Sequence, residues 1–238
     1  MLAGNSRSFR LFKLFGIEVF VHWSWFLVAA FQFYYRPWPG TPYWHAATYL
    51  SMFAIVTLHE FGHALACRSV GGRAESIILW PLGGIAFVRP PQRPGPVLWS
   101  IAAGPLVNVL LIPVTMMLWV LLIGGTEMKH WSDLQWFVAS IAGINGLLLA
   151  FNLLPIYPLD GGQIVQAILW FFMGRARSLN ITATFGLICA VGLGALALWA
   201  AEYWLLLMAL FLGFQAYNGR RMARVLASMD AAAPPPYL

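Results

Sequence analysis

Charge is what this sequence has least of. Only 9% of its 238 residues are Asp, Glu, Lys or Arg, against about 25% in an ordinary soluble domain. So small a charged complement cannot solvate a globular surface, which excludes a soluble enzyme, a secreted domain and a disordered regulator. Cysteine is scarcer still. Cys67 and Cys189 lie in apolar stretches; two thiols build no disulfide framework, and they read as small core residues. No internal repeat is visible. Acidic residues are outnumbered 8 to 14, yet the basic surplus follows membrane topology and gives no reason to expect a nucleic-acid partner.

What the chain has instead is apolar length, with 61% hydrophobic residues. A helix needs about 20 of them to cross a hydrocarbon core about 30 Å thick. Ranges 19–35, 45–67, 97–123, 134–152, 179–200 and 203–219 are the candidate spans. With the N-terminus inside, six crossings leave only Arg36 and Lys129 of the 14 basic residues on the outer side, a strong positive-inside bias. Glu18 and His22 interrupt the first apolar run, which argues against a cleaved signal peptide. The expectation is an all-α polytopic membrane protein of six transmembrane helices in a lipid bilayer, with both termini cytoplasmic. The core would occupy 1–222, and 223–238 would be a short cytoplasmic tail with a frayed proline-rich end from Ala231.

Two stretches do not suit plain helices. Ser76–Val88 sets β-formers around Trp80-Pro81-Leu82-Gly83-Gly84, which predicts a hairpin over about 73–90. Arg175 follows Asp133 by 42 residues, too many for one crossing, while two would carry Arg175 and Arg177 to the outer side. Pro155-Ile156-Tyr157-Pro158-Leu159-Asp160-Gly161-Gly162 cannot continue a regular helix. One crossing, a broken segment and a short helix over about 161–173 near the inner face fit best. Irregular backbone at membrane depth survives only inside protein or beside a water-filled cavity, so this is a place to look for function.

The second span holds His59-Glu60-Phe61-Gly62-His63. Positions i and i+4 share a helix face, so both imidazoles can grip one metal ion. Glu60 beside them can take a proton from an attacking water, the logic of H-E-x-x-H peptidases. The alternative is a polar cluster that merely satisfies itself between helices, but ionisable groups inside membranes are costly and usually functional. A catalytic zinc needs a third protein ligand. Glu60 lies about 12 Å of helix rise from the inner end of its span, which leaves His45, Glu127, His130, Asp133 and Glu202 too far away. Glu18, His22, Glu75, Asp160 and Asp230 remain. Asp160 is the best of these, an acid in apolar sequence beside two glycines that permit close backbone approach. It could instead cap the short helix. His22 is the second choice, although an interfacial, hydrogen-bonded role suits it better.

His59-Glu60-Phe61-Gly62-His63, followed about 90 residues later by Asn152-Leu153-Leu154-Pro155-Ile156-Tyr157-Pro158-Leu159-Asp160-Gly161-Gly162, resembles the site-2 protease family of intramembrane zinc metalloproteases. The resemblance runs from Phe9 to the end of the sixth span. It implies one zinc ion per chain on His59, His63 and Asp160, with Glu60 as general base and Asn152 near the substrate backbone. Trp80-Pro81-Leu82-Gly83-Gly84 resembles the family's membrane re-entrant hairpin, which places Gly83 and Gly84 where a substrate strand could add. Ala103-Gly104-Pro105-Leu106-Val107-Asn108 resembles its Gly-x-x-x-Asn segment, for which close packing is the favoured reading. Lacking room for a peptide-binding (PDZ) or nucleotide-sensing (CBS) domain, the chain is similar to the compact, core-only branch. The implied activity is zinc-dependent cleavage within or beside a transmembrane segment of a membrane-protein substrate, near the cytoplasmic face of a prokaryotic plasma membrane. A metal transporter using the same ligands is the rival, and it has no use for Glu60.

Overall fold

The computed structural model describes residues 8–35, 41–80 and 83–232. Arg7 and Arg36 of the charge count, Pro81 and Leu82 of the expected hairpin turn, and the proline-rich end beyond Ala232 lie outside the described residues. Two compact units form, one from Met1–Pro91 with Ala103–Ala150, the other from Gln92–Ala102 with Phe151–Leu238.

The first unit corrects the all-α expectation. Strands β1 (Ser8–Leu14), β2 (Ile17–His22), β3 (Arg73–Trp80) and β4 (Gly83–Arg89) make one sheet in that order. The pairs β1/β2 and β3/β4 are antiparallel and β2/β3 is parallel. The expected hairpin pairs Trp80 with Gly83 and Leu79 with Gly84. Range 19–35 is not helical throughout: Val19–His22 finishes β2, and helix α1 (Ser24–Tyr35) begins only at Ser24. The cause is legible in Ile17-Glu18-Val19-Phe20-Val21-His22. Ile17, Val19 and Val21 are buried while the residues between them are half exposed, the period of a strand.

That buried face joins Ala74, Ile77 and Leu79 of β3 in a core with Val56, Phe61 and Ala64 of helix α2 (Pro42–Ser69). Proline at the first turn of α2 loses no helical hydrogen bond. At its other end the Arg68 guanidinium donates to the carbonyls of Phe15, Gly16 and Ala74. One cation thus ties the last turn of α2 to both the β1–β2 turn and β3.

Helices α3 (Pro94–Leu122) and α4 (Asp133–Asn152) follow. Ser132 and Gln135 cap each other at the start of α4, and Gln135 Nε2 donates to the Leu122 carbonyl at 2.6 Å. This closes an antiparallel helix pair at its loop end.

In the second unit, α4 ends at Asn152, Leu153–Leu159 is non-helical, and helices α5 (Asp160–Met173), α6 (Arg175–Trp199) and α7 (Tyr203–Ala232) complete the chain. Gly161 and Gly162 let the broken segment fold back on α5, since a Cβ on either would run into backbone of Leu153–Tyr157. Among the described residues, α2, α3, α4 and α6 are long and apolar enough to cross a membrane, matching the second to fifth expected spans. Range 203–219 is the first half of α7. That helix continues through 223–232, where a tail was expected.

Candidate metal centre

His59, Glu60 and His63 are all buried on α2, and one ligand atom from each lies within 4.8 Å of the others. The two Nε2 atoms are 3.1 Å apart. Two nitrogens on a tetrahedral zinc, with bonds of about 2.0–2.1 Å, stand roughly 3.3–3.4 Å from each other. The donor set and spacing therefore fit a zinc ion. Two imidazoles and a carboxylate desolvated together are costly unless a cation or a full hydrogen-bond set compensates them.

The neighbours hold this cluster from two directions. Glu60 Oε2 accepts a hydrogen bond from the Ala86 N–H of β4 at 3.0 Å, so the sheet orients the carboxylate. On the other side α3 runs antiparallel to α2. His63 lies against Gly104, where a Cβ would collide with its ring. One turn along, His59 Nδ1 is 2.6 Å from Asn108 Oδ1. A Cβ at Gly62 would stand 2.6 Å from the Ala103 carbonyl oxygen and 2.8 Å from Val107 Cγ2, which explains why the helices can approach so closely there.

The packing reading of Gly104 agrees with this geometry, but Asn108 does more than pack, because it bonds to the His59 ring. Asn145 of α4, which the sequence reading missed, completes the set. Asn108 Nδ2 donates to Asn145 Oδ1 at 2.8 Å, and Asn145 Nδ2 donates to the Asn108 carbonyl at 3.0 Å. A lone amide inside an apolar helix is itself a signal.

The remaining candidates fall elsewhere. His22 Nδ1 is 2.6 Å from Ser24 Oγ and accepts the Ser24 N–H at the start of α1, with its ring against Trp23 and Trp80. Glu18 pairs with Arg10 at 3.5 Å, and Glu75 is exposed on β3. Asp160 belongs to the second unit and is half-buried. It is the first helical residue of α5 and not its cap, since Leu159 holds the N-cap position. Asn152 closes α4 at the other end of the broken segment.

Membrane-length helices, one of them carrying a buried His-Glu-His turn, define a polytopic membrane protein with a candidate metal-binding helix. The chain belongs to Peptidase family M50, whose profile matches residues 47–131 and 113–193. It is 29% identical over 221 residues to a zinc metalloprotease of Methanocaldococcus jannaschii, covering 92% of this chain and 62% of that one. A relative from Synechocystis, provisionally named a zinc metalloprotease, is 30% identical over 247 residues, covering 95% of this chain and 63% of its own length. The chain thus spans less than two thirds of either relative. In structure it is similar to a site-2 protease from Methanocaldococcus jannaschii, with a TM-score of 0.64 and 28% identity over 90% of this chain and 95% of that one.

Proposed function

We propose that this protein is a zinc-dependent intramembrane endopeptidase. It would cleave a peptide bond within or beside a transmembrane segment of a membrane-protein substrate, near the cytoplasmic face. One zinc per chain would be held by His59 and His63, with Asp160 at the start of α5 supplying the third ligand that the family resemblance implies. When bound, zinc polarises the scissile carbonyl and lowers the pKa of water towards about 7. Glu60 is the general base: it takes a proton from the attacking water and passes it to the leaving amine, a role worth about 10²–10⁴ in rate. The Ala86 N–H keeps the Glu60 carboxylate turned to that task. Asn152 contacts the substrate backbone, and the β-strand at Gly83 and Gly84 receives it as an added strand.

Six spans, a re-entrant hairpin and cytoplasmic termini in a prokaryotic plasma membrane complete the reading, with 1–222 as the core. Positive-inside charge supports it. Neither named relative is a transporter, and a permeation site has no role for Glu60. The observation that carries the proposal is the buried turn His59-Glu60-Phe61-Gly62-His63 on a membrane-length helix, with Glu60 fixed by β4.

The test uses purified protein in proteoliposomes, a panel of single-span substrates and zinc analysis. Glu60→Gln is expected to keep zinc and lose cleavage by about 10²-fold or more, whereas Asp160→Ala is expected to lose zinc as well. Undiminished cleavage by Glu60→Gln removes it as the base, and full zinc retention by Asp160→Ala removes Asp160 as a ligand.

A further inference from the structure

Asn108 and Asn145 form hydrogen bonds whose directions are all fixed by one atom. A backbone carbonyl can only accept, so Asn145 Nδ2, 3.0 Å from the Asn108 carbonyl, must donate. The Asn145 amide is thereby oriented, and its Oδ1 faces Asn108 Nδ2 at 2.8 Å as acceptor. Asn108 Oδ1 is then the atom left facing His59 Nδ1 at 2.6 Å. An amide oxygen has no hydrogen to give, so Nδ1 carries it. In a neutral imidazole the lone pair then sits on Nε2, the atom 3.1 Å from His63 Nε2 within the His-Glu-His cluster.

We infer that Asn108 and Asn145 are positioning residues, a relay from α4 through α3 that sets the tautomer and ring plane of His59 for metal binding. Neither belongs to the ligand set. Asn108 is 0% exposed and Asn145 1%, so no bulk water competes for these bonds or lets either amide turn at low cost. Helix glue alone could be supplied by the two asparagines bonding to each other. Here the last acceptor in the series is spent on a ring whose opposite nitrogen must be bare to bind a cation. The α3 spacing makes this possible: Gly104 makes room for His63, and Asn108, four residues on, meets His59 on the same side. Such outer partners of ligating histidines typically affect metal affinity by 10–100-fold. The relay matters only if His59 binds a metal, so it rests on the zinc site of the protease reading and not on the cleavage itself.

The experiment uses the full chain, selectively labelled with ¹⁵N-histidine, in lipid nanodiscs. Two-bond proton–nitrogen correlations of the zinc-free protein report the His59 tautomer, its signals assigned by their loss in His59→Gln. Zinc affinity is measured separately by chelator competition. The wild type is expected to show the hydrogen on Nδ1. Asn145→Leu frees the Asn108 amide to turn over; a mixture of tautomers and roughly tenfold weaker zinc binding should follow. Asn108→Asp keeps an acceptor toward His59 and has no donor face to turn towards it, but its second oxygen meets Asn145 Oδ1, acceptor against acceptor; with Asn145→Leu beside it that clash is gone, and zinc affinity should lie within about tenfold of wild type. On that background Asn145→Leu should cause no further loss.

A wild-type His59 with its hydrogen on Nε2 overturns the relay. So does an equal loss from Asn145→Leu on both backgrounds, which is the result a packing role gives. If Asn145→Leu does not fold, the wild-type tautomer still decides. Zinc binding with the Nδ1 tautomer but no cleavage of any substrate would leave the relay standing and sink the protease reading. Cleavage with the opposite tautomer would do the reverse.

Discussion

Helices α2 and α4 are both long enough to cross a bilayer, yet protein surrounds them very differently. Over their most apolar windows α2 is 56% buried and α4 only 17%. In lipid no hydrophobic drive brings helices together, because acyl chains are as apolar as leucine. What calls for a protein jacket is polarity, and α2 has it: Thr57, His59, Glu60 and His63 are all buried. The sheet covers one side of this turn and α3 the other, at a separation that only glycine permits at Gly62 and Gly104. Helix α4 gives one amide to the interior and leaves Leu147 exposed. Of these two helices the less lipid-like is thus the more enclosed, and the His-Glu-His turn lies on it.

The largest test of that comparison is Gly104→Val, which drives a branched side chain into the space of the His63 ring. Overpacking of this kind typically costs 1–3 kcal/mol of stability, and with the ring displaced, zinc affinity should fall by about 100-fold or more, beyond the range for loss of an outer partner. Chelator competition and thermal unfolding would measure the two effects. Wild-type affinity in that variant would mean that the α2–α3 approach does not shape the site.

A smaller effect is expected on the sheet side from Ala86→Pro. It deletes the N–H that holds Glu60 while leaving an edge strand where proline is tolerated. Zinc affinity should be unchanged and cleavage should fall about tenfold, the size of one hydrogen bond to a charged group. Equal loss of zinc and cleavage would show instead that β4 supports the fold of the site and not the base alone.

How much of this could be read from the residues depends on whether the signal was local. The His59–His63 turn was legible because helix periodicity alone puts i and i+4 on one face. The break between α4 and α5 was legible because Pro155, Pro158 and two glycines forbid a helix there, and α5 begins at Asp160, one residue before its expected start. The first two strands were missed although Ile17–His22 alternates cleanly, because its apolar residues run straight into those of α1 and look like one long span. Pairing β2 with β3 spans more than fifty residues and leaves no trace in either segment. Asn108 stood in the right motif with a packing role assigned to it, and Asn145 was not singled out. A hydrogen bond between two helices depends on their register, and no residue next to either asparagine announces that register in the sequence.

The smallest expected effect is on α4 itself. Leu147 is 72% exposed, and Asn145, two residues away and on nearly the opposite face, is 1% exposed. Leu147→Ala removes a side chain that meets mostly lipid in a membrane, so stability should move by no more than about 0.5 kcal/mol and zinc affinity not measurably. Asn145→Leu alters the same helix by a comparably modest change and is expected to weaken zinc. The pair separates two accounts of α4. If general helix packing governed the site, both substitutions would be felt in proportion to the volume they change, and Leu147→Ala would be the more disruptive. If the polar line through Asn108 governs it, only the asparagine matters. A clear loss of zinc affinity in Leu147→Ala would therefore count against the division of α4 into a lipid face and a site-directed face.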